Sequence, residues 1–127
     1  MLNKDFKEAL KVLAEKFEKN KIKWAVVGST NCAIQGMYIN PSDVDIVVQR
    51  NDIEKMKDIF EGYKVSKVNM LKPFVDKPAW DVHINLHDLD VQIFGENDDG
   101  PYVSILLSRK IIFVNVGDIK IPCFELE

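Results

Sequence analysis

The chain has 127 residues, of which 46% are hydrophobic and 29% are charged, and its formal net charge is −3. This composition is typical of a globular protein with one domain over residues 1–127, and it excludes a basic protein that binds nucleic acid unspecifically. The sequence has no apolar run of membrane-spanning length, it begins with a charged helix instead of a signal peptide, and Cys32 and Cys123 match no zinc or redox spacing. We therefore expect a cytoplasmic protein with reduced thiols and no membrane contact.

Two amphipathic helices are predicted, the first over residues 3–19 and the second over residues 52–60, where Gly62 is expected to end it. Their apolar residues recur at helical spacing: Phe6, Leu10, Leu13 and Phe17 in the first, and Ile53, Met56 and Phe60 in the second. Each helix has a single apolar face, so both should pack on one side of a sheet.

Between these helices the sequence predicts a strand, a tight turn, a short helix and a second strand. Residues 24–27 are apolar and stop at Gly28, and Ser29 or Thr30 is placed to cap the short helix. That helix is expected to carry three apolar residues on one face: Ala33, Ile34 and Met37. The second strand, residues 44–48, opens with two aspartates.

Asp43 and Asp45 define the candidate site. Side chains two apart on a strand share a face, so the two carboxylates project together with their backbones about 7 Å apart. Unpaired, they would repel each other, and a hard cation such as Mg²⁺, bound with substrate phosphates, removes that repulsion. Gly28 and Ser29 would supply backbone N–H groups and a hydroxyl for phosphate at the start of the short helix.

Residues 80–94 predict two strands joined by a turn at His87 and Asp88, because apolar and polar residues alternate on both sides of it. Asp90 lies near the start of the second strand on its polar side. If this strand pairs beside residues 44–48, Asp90 becomes the third carboxylate of the site. Asp88 is the alternative, but a turn aspartate usually bonds its own backbone.

Two histidines, His83 and His87, are spaced four apart, which would suit a shared metal ion on a helix. On a strand the same spacing separates them by about 13 Å, too far for one ion. We interpret both as surface residues or residues at the rim of the site.

The remaining segments carry weaker signals. Residues 63–68 are assigned to an edge strand, and residues 70–79, with two prolines, to a loop that either shapes an acceptor pocket or only connects elements. Residues 95–101 are interpreted as a solvated acidic loop. Residues 102–107 fit either a helical turn or a strand.

A β-hairpin is predicted near the C-terminus, with strands at residues 111–116 and 119–124 around Gly117 and Asp118. The two basic residues before it either contact a triphosphate or mark a solvated strand entry; they are Arg109 and Lys110.

Gly28-Ser29, thirteen further residues and Asp43-Val44-Asp45-Ile46 resemble the signature of the DNA polymerase β-type nucleotidyltransferase superfamily in its minimal single-domain form. The match covers roughly the first half of the chain. Two features depart from the family pattern. Many relatives carry a basic residue where this sequence has Asn40, and many continue past the hairpin into a further helix, whereas this sequence ends at Glu127.

The expected fold is α/β, with a twisted mixed sheet of about five strands and helices packed on one side. The resemblance implies a transfer of a nucleoside monophosphate from an NTP, with ATP expected, to a hydroxyl of an unidentified acceptor, releasing pyrophosphate. It implies two Mg²⁺ ions held by Asp43, Asp45 and Asp90, with Asp90 also accepting the proton of the attacking hydroxyl. Gly28 and Ser29 would bind the β- and γ-phosphates.

A second hypothesis stays open: a non-catalytic nucleotidyltransferase-like binding module, such as one half of a toxin–antitoxin pair. The small size of the chain and the lack of an obvious acceptor domain favour it, and it implies a partner protein. Both hypotheses allow ATP and Mg²⁺ to bind, but only the enzyme releases pyrophosphate.

Overall fold

The structure, a computed structural model, describes residues 2–71, 79–96 and 110–126. In these ranges the helices are α1 (Lys4–Lys19), α2 (Gly28–Ile34) and α3 (Met56–Ile59), and a 3₁₀ helix spans Arg50–Lys55. The strands are β1 (Trp24–Val27), β2 (Val44–Gln49), β3 (Asn69–Leu71), β4 (Ala79–Leu86), β5 (Leu89–Glu96), β6 (Ile111–Val116) and β7 (Ile119–Phe124). No helix in the described ranges has the length and apolar character that a membrane crossing requires.

The described strands form one mixed sheet in the order β3-β4-β5-β2-β1-β7-β6. β2 lies at its centre, antiparallel to β1 and parallel to β5. The predicted α/β class with a mixed sheet is confirmed, and the sheet is larger than the expected five or so strands, since the described residues form seven. The C-terminal hairpin joins the same sheet because β7 pairs in parallel with β1, and the short β3 extends the opposite edge.

Helix α1 packs on one face of the sheet, as its apolar periodicity predicts. Asn3 caps it by accepting a hydrogen bond from the Phe6 backbone N–H at 3.1 Å. Phe17, on its buried side, contacts the rings of Trp24 and Phe60, with centroids 5.1 and 5.6 Å away. The predicted packing of both helical regions on one side is confirmed, because Phe60 belongs to the same core cluster as α1.

The predicted helix over residues 52–60 is divided into the 3₁₀ helix and one turn of α-helix, α3. A tight 3₁₀ turn is common where a helix begins. The 3₁₀ helix lies directly on β5, where a Cβ added at Gly95 would be 2.8 Å from the Cβ of Ile53. Gly95 therefore allows the two elements to approach this closely.

The capping role expected for Ser29 or Thr30 is wrong. Val27 is the N-cap of α2, and no side chain caps it. The Thr30 hydroxyl instead donates to the backbone carbonyl of Asp43 at 2.5 Å. Met37 does not share the buried face either, because α2 ends at Ile34 and Met37 is 48% exposed.

The edge strand lies further along the chain than the predicted residues 63–68. Val65 forms only an isolated bridge with Ile84, and the strand begins at Asn69. The hairpin of β6 and β7 is confirmed. The predictions for residues 72–78 and 97–109, including Arg109, fall outside the described residues.

The two faces of the sheet differ in what covers them. One face carries Val26, Ile46 and Ile93 into the main core beneath the helices. The opposite face carries a smaller cluster with Ala25, Val47 and Phe124 buried. Because side chains alternate along a strand, Asp45 lies on this second face, which we call the open face.

Candidate functional site

The turn that follows β1 lies against the second aspartate of the motif. Val27 pairs with Asp45 across β1 and β2, so the next residue, Gly28, begins α2 beside that carboxylate. Gly28 has φ +71°, and a Cβ added there would lie 2.7 Å from Asp45 Oδ2. Both the conformation and the contact therefore require glycine. Ser29, the next residue, is partly buried.

Asp43 precedes β2 and is tied to α2 through its backbone, because its carbonyl accepts the hydrogen bond from Thr30. Thr30 is fully buried. This contact fixes the start of β2 against the helix that begins at Gly28, and it thereby sets the position of both aspartates relative to the glycine turn.

Asp90 comes to the same face from the neighbouring strand. β5 is parallel to β2, with Val44 opposite Val91 and Asp45 opposite Gln92. The predicted pairing of this strand beside residues 44–48 is thus confirmed, and Asp90 lies next to the start of β2. Asp88, the alternative, occupies the turn with φ +63°.

The surroundings of Asp45 disfavour its ionised form. Burial raises the pKa of the Asp45 carboxyl above its ordinary value, and the nearby charges of Asp43 and Asp90 raise it further, while His83 opposes them. Like charges disfavour one another's ionised form, so the part of this pKa rise that Asp43 and Asp90 add to burial follows from the clustering of the acids on the open face.

These residues fit a divalent cation in the chemistry of their donors. Carboxylate oxygens are the ligands of Mg²⁺, and a cation would offset the repulsion that, in addition to burial, raises the pKa of Asp45. Within the described ranges, however, no three His, Cys, Asp or Glu side chains are already arranged around one metal position.

His83 explains where the Asp90 carboxylate points. Its Nδ1 lies 3.0 and 3.1 Å from the two oxygens of Asp90, and its Nε2 lies 3.2 Å from Asp81 Oδ2. Burial alone would lower the pKa of His83, but the hydrogen bond and charge of Asp90, with Asp81, outweigh it and raise the pKa. His83 lies at the rim of the site, as the sequence suggested, whereas His87 is an exposed turn residue.

Asp81 and Gln92 were missed by sequence reasoning. Asp81 is buried, with 2% of its surface exposed, and its Oδ2 accepts a hydrogen bond from Gln92 Nε2 at 2.6 Å. Its other oxygen, Oδ1, has no hydrogen-bond partner among the described residues. The alternation along β4 places Asp81 on the same face as His83, and Asp81 could have been found in the sequence from this signal.

Two further features of the described chain lie apart from the acids. Lys110, one of the two basic residues before the hairpin, approaches Glu125 to 3.7 Å. A cleft of about 820 Å³ separates α1 from the C-terminal hairpin, with Trp24, Phe113 and Pro122 among its lining residues. Asp43, Asp45 and Asp90 do not line this cleft.

The central strand with its paired acids, the glycine turn and the parallel strand that carries a third acid define a nucleotidyltransferase-like fold. The chain matches a crystal structure from Thermotoga maritima described as "a putative nucleotidyltransferase". The TM-score is 0.80 at 24% sequence identity, and the match covers 99% of this chain and 81% of that chain. This likeness confirms the fold that the sequence resemblance implied. No protein-family model matches the sequence, and no curated protein matches it significantly.

Proposed function

We propose that this chain is a Mg²⁺-dependent nucleotidyltransferase that moves a nucleoside monophosphate from an NTP, with ATP expected, to a hydroxyl of an acceptor. The observation that supports it best is the shared placement of Asp43, Asp45 and Asp90 on the open face, beside the Gly28 turn. A fold alone does not imply a reaction, so the proposal depends on this site.

In the reaction, the acceptor oxygen forms a bond to the α-phosphorus of the NTP, and the bond from that phosphorus to the bridging oxygen breaks. Pyrophosphate leaves with the electron pair. Asp90 accepts the proton of the attacking hydroxyl, which is the role that the family resemblance implies, and its exposed position leaves it accessible to an acceptor. Gly28 and Ser29 bind the β- and γ-phosphates through backbone N–H groups and the hydroxyl.

Asp43, Asp45 and Asp90 would hold Mg²⁺, which supplies positive charge for the attacking and leaving oxygens. The contribution of the chain is positional. The Thr30 contact holds the start of β2 in place, and the absence of a Cβ at Gly28 leaves room for a phosphate group next to Asp45. Alignment of the reacting groups is a large part of catalysis in phosphoryl transfer.

The test is to incubate the protein with each of the four NTPs, labelled at the α-phosphate, with Mg²⁺ and either no further acceptor or a cell extract. We expect Mg²⁺-dependent transfer of label and release of pyrophosphate. Asp45→Asn should reduce both by at least about a hundredfold, because it removes one of the acids that would hold the metal. Asp58→Asn, which changes an exposed helical aspartate, is the matched control and should react like the wild type.

Transfer by Asp45→Asn at the wild-type rate would refute the mechanism. Thermal stabilisation by ATP and Mg²⁺ without pyrophosphate release under any condition would instead indicate the non-catalytic binding module. If ATP and Mg²⁺ together left the melting temperature unchanged, both the enzyme and the binding-module hypothesis would be contradicted.

A further inference from the structure

The two edge strands of the described sheet, β3 and β6, differ in what they offer to another strand. β3 has only three residues, Asn69–Leu71. β6 has six, Ile111–Val116, without a charged side chain or a proline, and it pairs with β7 in a continuous register without a bulge. Proteins usually protect a long edge strand with charges, proline, a bulge or a short length. β6 has none of these protections.

The register of the hairpin determines which backbone groups of β6 point outward. Val116 pairs with Ile119 across a two-residue turn, so these two residues exchange backbone hydrogen bonds. Such pairs alternate along the strand, and Lys110, six residues earlier, accordingly accepts from the Glu125 N–H at 3.0 Å. The residues between them point their N–H and C=O groups to the outer edge: Ile111, Phe113 and Asn115. In the ranges that the structure describes, no other element donates to or accepts from these groups.

A second copy of β6, running antiparallel, matches this pattern of outward groups. With a two-fold axis at Phe113, that residue lies opposite its own copy, and Ile111 lies opposite Asn115 of the other molecule. Each of these is a hydrogen-bonded pair, so this register uses every outward N–H and C=O of both strands. The edge is therefore complementary to itself.

The side chains agree with the same register. Phe113 is 67% exposed, and beside its own copy it would form an aromatic pair across the two strands. Lys110 would lie opposite Val116 of the second copy, directly before the turn that carries Asp118. Both charged residues are exposed. Opposite charges thus meet at each end of the paired strands, and the segment between them is uncharged.

We infer that β6 is a homodimer interface, in which two copies of this chain join their sheets through antiparallel β6 strands about a two-fold axis at Phe113. A two-fold contact of this kind closes on itself, so the assembly stops at the dimer. β1 and β7 separate β6 from the central strand β2, so the acidic site stays outside this interface. The inference is independent of the proposed transferase.

The test is sedimentation velocity, with light scattering, on the whole protein. From about 1 to about 300 µM the mass should rise from 14.6 kDa to twice that value, since a small interface of this kind gives a micromolar Kd. Phe113→Lys places like charges opposite each other and should weaken the dimer at least about tenfold. Met70→Lys makes the same change at a 58% exposed residue of β3 and should dimerise like the wild type.

Hydrogen exchange of individual amides tests the register. In the dimer the N–H groups of Ile111, Phe113 and Asn115 should be protected, and dilution should expose them to exchange. The N–H groups of Ile112 and Val114 bond to β7 and should stay protected at every concentration, also in Phe113→Lys. This alternation distinguishes pairing at β6 from association elsewhere on the surface and from a loss of folding.

A protein that stays monomeric at about 300 µM would overturn the inference, because an interface weaker than that is no better than a chance encounter. A dimer that Phe113→Lys leaves intact would also overturn it, and so would assemblies that grow beyond two copies. Rapid exchange at Phe113 within the dimer would show that the copies meet at another surface.

Discussion

At the scale of single residues, Gly28 is the position where backbone and carboxylate come closest. Gly28→Ala adds a Cβ 2.7 Å from Asp45 Oδ2 at φ +71°, whereas Gly117→Ala adds one in open space at φ +62°. Left-handed backbone costs a non-glycine residue about 1–2 kcal/mol, so urea unfolding should show a loss of that size in both variants. Only Gly28→Ala should also weaken the thermal stabilisation by ATP and Mg²⁺.

The comparison of these two alanine variants isolates the contact with Asp45, since the backbone strain is similar in both. If Gly117→Ala impaired nucleotide binding as much as Gly28→Ala, the effect would be a general loss of stability. The glycine turn would then have no special relation to the acidic site.

Asp45 is the acid whose ionisation the fold opposes. Its pKa is higher in the native state than in the unfolded chain, so native stability falls as pH rises through the window between the two values. Asp45→Asn removes this penalty. At pH 7 without metal its melting temperature should exceed that of the wild type by about 1–3 °C.

The increase in melting temperature caused by Asp45→Asn should shrink as the pH falls below the ordinary carboxyl pKa, because wild-type Asp45 is then protonated in both the native and the unfolded state. Saturating Mg²⁺ should reverse the order, because the cation stabilises only the wild-type site. Differential scanning calorimetry at pH 3.5 and pH 7 measures both effects. If Asp45→Asn were less stable than the wild type at pH 7 without metal, the claim that the native fold disfavours ionised Asp45 would be wrong.

At the scale of elements, the contact between the 3₁₀ helix and β5 depends on one missing side chain. Gly95→Ala would place a Cβ 2.8 Å from the Cβ of Ile53, and Ile53 is fully buried, so the helix has to move outward. Overpacking of this kind costs about 1–3 kcal/mol, which chemical denaturation can resolve. Asn115→Ala, at an exposed position of β6, is the control and should change little.

Elements with a strong internal pattern could be predicted from the sequence. The periodicity of Phe6, Leu10, Leu13 and Phe17 identified α1, and the alternation around His87 and Asp88 identified β4 and β5. The edge strand was misplaced because edge pairing depends on what the neighbouring strand offers, and local alternation near Val65 was weak. The close contact of Ile53 with Gly95 joins segments that are distant in the sequence, so no local pattern shows it.

At the scale of the whole molecule, the sheet order is a property of contacts between distant segments. Nothing in residues 119–124 indicates that β7 pairs with β1, and the pairing of Val26 with Cys123 makes one seven-stranded sheet. The placement of Asp43, Asp45 and Asp90 on one face followed from strand periodicity and the assumed pairing. The contact between His83 and Asp90 did not, because it depends on the register between β4 and β5.

That register is set by a turn of only two residues. His87 and Asp88 both have left-handed backbone, with φ +51° and +63°, as in the tightest hairpins. An extra residue there has to be absorbed as a bulge, or it slides β5 by one position and sends Asp90 into the apolar interior. Substitution of His87 or Asp88 with asparagine or glycine should therefore cost little stability. Insertion or deletion of a residue in this turn would instead move Asp90 away from the acidic site.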